Sequence, residues 1–305
     1  MWFRNLTLFR FSESTARSLK SLESKLEPWR LRPCGPQERS RVGFVSPYGR
    51  GEEGLVHQVG DYALASFGRE ERLLPNAVVK DEIAARLKKF SEKERKKWGA
   101  KQRQRLRDEV IAELLPRAFV RTSYVSVYFA KKSGWLVVDT ARRKLAEEVV
   151  SQLRRALGTF PALPLTPEES PRALMTDWLI RGKLPAGLAW GDECELRDPV
   201  EAGAIVRCRR QDLETDEVRE HLKSGKQVFQ LGLVFEDRIG FVLGEDLAVR
   251  KLTFLDAVRN ELGDTPPESA RAELDARFAL MTLELERLLH QLEQGFGLPR
   301  PTERT

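Results

Sequence analysis

The chain has 305 residues, 41% hydrophobic and 32% charged, which supplies material for one or two domain cores. That balance excludes a disordered chain, a collagen-like repeat and a small disulfide-stapled module. Lys and Arg number 52 against 46 Asp and Glu, a net charge of +6 whose meaning depends on where it sits.

The opening MWFRNLTLFRF reads as a strand from Trp2 to Arg10. Arg4, Asn5 and Arg10 interrupt it, so it is not a signal-peptide core, and no run reaches the ~18 apolar residues of a membrane helix. A cytoplasmic protein is expected. A helix from about Glu13 carries Leu19, Leu22 and Leu26 on one face and stops before Pro28. Short strands follow around Val42–Val45 and Tyr62–Phe67. The loop between them, YGRGEEG, lacks the phosphate-binding GxxxxGK[ST] pattern, and Glu52 and Glu53 would repel a phosphate.

Lys80 to Arg107, KDEIAARLKKFSEKERKKWGAKQRQRLR, holds twelve basic and four acidic residues. This segment of 28 residues therefore carries +8, and the remainder of the chain −2. Val79, Ile83, Leu87 and Phe90 form one apolar helical stripe; Leu106, Val110 and Leu114 form a second, flanked by Ile111 and Leu115. Between Ser91 and Arg105 the single large apolar residue is Trp98, beside Gly99. The pattern predicts two helices packed at their outer ends, joined by a stretch that is polar on every face and so projects or bridges. Helical throughout, the segment would span about 42 Å, long enough to follow many phosphates of a duplex. Mixed-sign runs are ordinarily plain solvated surface, but the three-to-one bias favours a polyanion contact. Candidate contacts are Lys88, Lys89, Lys93, Arg95, Lys96, Lys97, Lys101, Arg103 and Arg105. Nothing in the run specifies bases.

After LLPRAF comes a β-hairpin: Tyr124–Ala130, a KKSG turn, and Trp135–Asp139. Asp139 or Thr140 is positioned to cap a helix carrying Leu145, Val149, Leu153 and Leu157. FPALPLTPEESP (160–171) reads as a linker ending in a capping box, Thr166 to Glu169, that opens a short helix toward Trp178. Ala204–Arg209 alternates as a strand, and a helix runs from Thr215 to near Gly225. A second hairpin, FQLGLVF–EDR–IGFVL, precedes a strand over Ala248–Phe254. A long helix over Ser269–Leu292 carries Leu274, Phe278, Met281, Leu285 and Leu288, and LPRPTERT is expected to be loose. The fold class is α+β, with antiparallel sheets, segregated helices and a projecting basic helical arm. The expected division is an N-terminal α+β domain (1–75 plus 117–165), the arm (76–116) inserted in it, and a C-terminal α+β domain (166–305).

Catalytic constellations are not legible. His57, His221 and His290 are isolated, and Cys34, Cys194 and Cys208 lack zinc-site spacing and read as reduced, buried thiols. GxSxG, HExxH, P-loop and dinucleotide motifs are missing. Asp192, Glu193 and Glu195 could hold magnesium or, beside Arg197 and Asp198, form a charged loop. A non-enzymatic binding protein without cofactor or metal is expected.

Several stretches occur together in family order: MWFRNLTLFRF, RPCGPQE with VGFVSPYG, LLPNAVVKDEI, DEVIAELLPRAF, WLVVDTARRKLAEE, GTFPALPL, RRQDLETDEVREHLKSGK and RFALMTLEL. With them the chain resembles the bacterial recombination-associated RdgC family over nearly its whole length. The resemblance implies a nucleoid DNA-binding protein with little sequence preference for double-stranded and also single-stranded DNA. It further implies a homodimer closed into a ring around duplex and antagonism to RecA-mediated strand exchange. A closed ring needs two self-complementary contacts per protomer. Phe119, with Trp98, is a candidate for closing the ring, though Phe119 also fits core packing at the start of a strand. Arg117 and Arg121 beside it, and Arg209, Arg210 and Gln211 at a strand end, join the candidate phosphate contacts. Lysine is common in the family at position 210, so the charge is kept with a different donor geometry. Rival readings are a magnesium-dependent nuclease using residues 192–195 and a protein-interaction inhibitor of RecA that needs no DNA.

Overall fold

A computed structural model describes residues 2–94, 99–200, 203–263 and 267–301, with backbone alone for 90–94. In chain order the elements are β1 (Thr7–Arg10), α1 (Glu13–Ser18), α2 (Leu22–Leu26), β2 (Ser40–Val45), β3 (Val56–Val59), β4 (Tyr62–Leu73), α3 (Asn76–Glu94), α4 (Ala100–Leu114), β5 (Phe119–Ala130), β6 (Trp135–Val138), α5 (Arg143–Leu157), β7 (Leu163–Pro164), α6 (Pro171–Arg181), β8 (Leu188–Arg197), β9 (Ile205–Arg209), α7 (Asp216–Lys223), β10 (Gln227–Phe235), β11 (Ile239–Gly244), β12 (Val249–Phe254), α8 (Asp256–Arg259) and α9 (Ala270–Phe296). Helices and antiparallel sheets are mixed, as the α+β expectation required. None of the described helices is long and apolar enough to cross a membrane.

The chain forms two compact units: residues 1–28, 46–66 and 125–305, and residues 29–45 and 67–124. In the first unit β1 lies between β6 (Thr7 opposite Val138) and β7 (Phe9 opposite Pro164). The β5–β6 hairpin turns at Lys131–Gly134, as expected, with Gly134 at φ +77, where a side chain would be strained. A second, five-stranded sheet runs β12-β11-β10-β8-β9. One core joins the two sheet systems through α9, whose Phe278, Met281, Leu285 and Leu288 pack with Tyr128, Trp135, Leu196 and Leu231. Within this unit His57 is buried, its Nε2 3.2 Å from Asp275 Oδ1 and its Nδ1 3.2 Å from Tyr48 Oη. Burial lowers its pKa more than Asp275 raises it. Glu284, also buried, accepts a two-pronged bond from Arg238 at 2.7 and 2.8 Å.

Four local expectations need correction. Asp139 does not cap α5; its Oδ1 accepts the N–H groups of Arg4 and Asn5 at 2.9 and 3.0 Å, and α5 begins at Arg143. The box at Thr166 and Glu169 is not a cap either, since α6 starts at Pro171 behind Ser170. The 160–171 stretch, expected to be a linker, is packed: Phe160 and Ala162 are buried and Leu163–Pro164 pairs with β1. Finally, the described start of the tail is anchored rather than loose: Leu298 is buried, and Arg300 donates to the carbonyls of Phe11 and Lys132 at 3.2 and 2.9 Å.

Residues 191–198, read as a charged loop, lie mostly in strand β8. Its pairing with β10 is irregular between Leu231 and Leu233. There Gly191 and Gly232 let two backbones approach: a Cβ on Gly191 would meet the Gly232 carbonyl carbon at 2.7 Å, and one on Gly232 the Glu193 carbonyl oxygen at 2.8 Å.

Candidate nucleic-acid interface

The second unit contains the basic segment. Polar spacing leaves α3 and α4 only a narrow apolar seam: Val79, Leu106 and Val110 are buried together, with Ile83, Leu87, Ile111 and Leu114 packed against them. Leu106 meeting Val79 means that the chain doubles back between the helices. The continuous 42 Å rod is therefore not formed; α3, at 19 residues, spans about 28 Å. Gly99 opens α4, its N–H donating to Gln102 Oε1 at 3.1 Å.

Arg86 fastens one helix to the other. Its Nε donates to Glu82 at 2.7 Å, and Nη1 and Nη2 donate to Glu113 at 3.1 and 2.6 Å. These bonds raise the Arg86 pKa and hold the Glu113 carboxyl below its usual range. This cation is committed internally. Lys89, Lys101, Arg103 and Arg105 are exposed and lack a carboxylate partner among the described residues. Lys88 is exposed as well and has a partner. Lys93 as a side chain, and Arg95, Lys96, Lys97 and Trp98 entirely, lie outside the described residues.

The root of the hairpin is held by a residue that sequence reasoning missed. Arg72, near the end of β4, donates to the carbonyls of Cys34, Gly35, Leu115, Pro116 and Ala118 at 3.1–3.3 Å. This fixes the turn from α4 into β5. Arg72 lies beyond the strand read over Tyr62–Phe67, and its five acceptors are backbone groups that leave no motif.

Beyond that turn β5 changes character. Its second half is buried core, whereas Phe119 (84% exposed), Val120 and Tyr124 face solvent, as do Leu73 and Val78 of the same unit. Phe119 is therefore not packed into a core of the described residues. Arg117 and Arg121 are exposed beside it, and Arg121 pairs with Glu71.

The second candidate cluster lies in the first unit. Arg209 ends β9 and lines a shallow cavity of about 220 Å³ with Glu193, Glu195, Arg207 and Lys251. Arg210 is exposed with a left-handed backbone, φ +54. The Gln211 side chain is occupied by Glu217 at 2.9 Å, and its N–H by the Asp192 carbonyl at 3.1 Å.

The carboxylates considered for magnesium do not converge. Glu195 is buried and clamped by Arg197 and Arg207, each at 2.6 Å, and Glu193 pairs with Lys251. Those arginines keep Glu195 ionised, its pKa lowered despite burial. Among the described residues no group of three or more His, Cys, Asp or Glu is placed to hold a metal ion.

Comparison with known proteins adds an independent line. The family model described as "Putative exonuclease, RdgC" matches residues 1–298. Curated relatives named "Recombination-associated protein RdgC" are 46% identical over 301 residues in Xanthomonas oryzae pv. oryzae (strain MAFF 311018) and in Xanthomonas axonopodis pv. citri (strain 306), covering 98% of this chain and 99% of each relative. One from Stenotrophomonas maltophilia (strain R551-3) is 43% identical over the same spans.

Proposed function

The chain belongs to the RdgC family, and on that premise we propose that it is a non-catalytic, sequence-tolerant DNA-binding protein of the nucleoid. It acts as a homodimeric ring around duplex DNA and limits RecA-mediated recombination. One observation carries the reading: Lys89, Lys101, Arg103 and Arg105 stand exposed, without a carboxylate partner among the described residues, on a helix pair whose internal cation, Arg86, is spent on holding the pair together. Exposed cations without carboxylate partners are what counterion release from a polyanion requires. Lys88 and, next in the basic run of the sequence, Lys93, Arg95, Lys96 and Lys97 are further proposed contacts, and Arg117, Arg121, Arg209, Arg210 and Gln211 are secondary ones, of which Gln211 must first leave Glu217.

Exposed Phe119, with Val120 and Tyr124, supports an apolar contact between protomers; Trp98 is a further candidate there. The segments 1–75 with 117–165, 76–116 and 166–305 remain the proposed functional division. Obstruction of RecA then follows from occupancy of the duplex. A direct contact with RecA that needs no DNA is the rival, and inhibition persisting on DNA that the protein does not bind would favour it.

A duplex titration across salt, paired with sedimentation equilibrium, tests the proposal. Sequence-independent binding that weakens steeply with salt, by a dimer, is expected; salt-insensitive or absent binding would overturn it. The word "exonuclease" in the family description motivates one control. Labelled duplex incubated with protein and Mg²⁺ should stay intact, and shortening from the ends would replace the binder with a nuclease.

A further inference from the structure

Cys194 and Cys208 are 14 residues apart in sequence but directly opposite each other on β8 and β9. Directly paired residues of antiparallel strands have Cα atoms roughly 4.5–5.5 Å apart, inside the roughly 4.4–6.8 Å that a disulfide spans. Both side chains turn to the same buried face, 4% and 8% exposed, and the Cys208 thiol lies close enough to Cys194 to raise its pKa. All three cysteines of the chain are free thiols, and Cys34 lies in the other unit.

Two features keep the pair in place. On each side stands a cross-strand acid–base pair: Glu195 faces Arg207, bonded at 2.6 Å, and Glu193 faces Arg209. Past the end of β9 the Gln211 N–H bonds the Asp192 carbonyl at 3.1 Å. A one-residue slip would send Cys208 to the opposite face and break the charge pairing, so the register is strongly specified. The polar cavity described above touches both residues but opens on the sheet face that carries Glu193, Glu195, Arg207 and Arg209; the thiols lie on the other face, so a small reagent reaches them when edge strand β9 lifts locally.

We propose that Cys194 and Cys208 are a dithiol modification site, oxidised by low-molecular-weight disulfides to an intrachain cross-strand disulfide and re-reduced by small thiols. Cys208, the more exposed of the two, reacts first as its thiolate. It attacks one sulfur of the small disulfide; that S–S bond breaks, and the departing thiolate takes up the proton Cys208 released. Cys194 then attacks the Cys208 sulfur of the mixed disulfide. The second small thiol leaves with the proton from Cys194. Two protein thiols are oxidised to one disulfide, and one small disulfide is reduced to two thiols. Burial pushes the Cys194 pKa up to about 12, with Cys208 adding to the shift. The closing step therefore relies on the mixed disulfide being held against Cys194 rather than on a standing thiolate. The product ties edge strand β9, which carries Arg207 and Arg209, to β8.

The experiment uses the intact folded protein and oxidised glutathione, and its outcome does not depend on whether the chain binds DNA. Thiol titration after denaturation should fall from three to one, and peptide mapping should recover residues 194 and 208 linked. In Cys34→Ser the count should reach zero, with the same linked peptide. Cys194→Ser should stop at a mixed disulfide, with glutathione retained on Cys208. Three thiols surviving in the folded protein, under conditions that oxidise the unfolded chain, would overturn the proposal. So would oxidation confined to Cys34 or to links between chains.

Discussion

Replacing Lys101, Arg103 and Arg105 together with glutamine removes three exposed cations that have no carboxylate partner among the described residues, and leaves the buried seam of Val79, Leu106 and Val110 intact. Each phosphate contact contributes a slope of about −0.9 to the dependence of log affinity on log salt. Three lost contacts should therefore flatten the slope by about 2.7. Between 50 and 200 mM salt, a fourfold range, the variant should lose roughly 1.6 fewer decades of affinity than the parent. Arg86→Gln is the matched control. It removes a charge from the same helix pair, but one already committed to Glu82 and Glu113, so its slope should stay within about 0.3 of the parent. The measurement is a fluorescence-anisotropy titration of a duplex at five or six salt concentrations, repeated on an unrelated duplex sequence. An unchanged slope in the triple variant, or an equal loss in Arg86→Gln, would refute the assignment of the phosphate contacts to this surface.

Arg72→Met strands five carbonyls at the root of the helix pair. It should cost about 3 kcal/mol in urea denaturation, and a change below about 0.5 kcal/mol would show that the clamp is dispensable. Arg238→Met leaves the buried Glu284 carboxylate without its main partner, with an expected loss of about 3 kcal/mol by the same assay. Phe119→Ala removes a ring that is 84% exposed; thermal stability should hold while sedimentation shows self-association weakened at least ~10-fold, about 1.4 kcal/mol. His57 has a depressed pKa in the fold. The unfolded chain therefore takes up a proton near pH 6.5 while the folded protein resists, so stability is full above about pH 6.5 and falls as pH drops through the folded value. His57→Gln should flatten that acid limb of a stability–pH curve.

Periodicity made the helix pair legible, because Val79, Ile83, Leu87 and Leu106, Val110 repeat at helical spacing and nothing else apolar competes with them. The β5–β6 hairpin was equally readable from alternation and the KKSG turn. Strand β8 was not. Gly191, Asp192, Glu193 and Glu195 are poor strand formers, and what seats them is cross-strand pairing with Arg207 and the lysine of β12, Lys251, too distant in sequence to appear in any local window. Asp139 misled for a related reason: it looks like a cap, but its acceptors' partners, the N–H groups of Arg4 and Asn5, lie more than 130 residues away. At the candidate interface composition located the charge. It could not separate the committed Arg86 from the uncommitted Arg103, because that distinction depends on whether Glu82 and Glu113 fall within reach. Nor could it tell that β5 carries its aromatic end, Phe119, out of the core.

The approach of Gly191 to Gly232 also limits how this part of the chain can evolve. Neither position can gain even a methyl group while the other strand stays put, since the obstruction is main chain rather than a side chain able to swing aside. An isolated substitution at either site thus meets a steric wall, and a compensating change elsewhere has no atom to remove. The permitted route is an insertion or deletion that resets the pairing of the two strands, and such a step would displace Glu193, Cys194 and Glu195 together. Acidic clamp and thiol pair are therefore expected to be inherited or lost as a block.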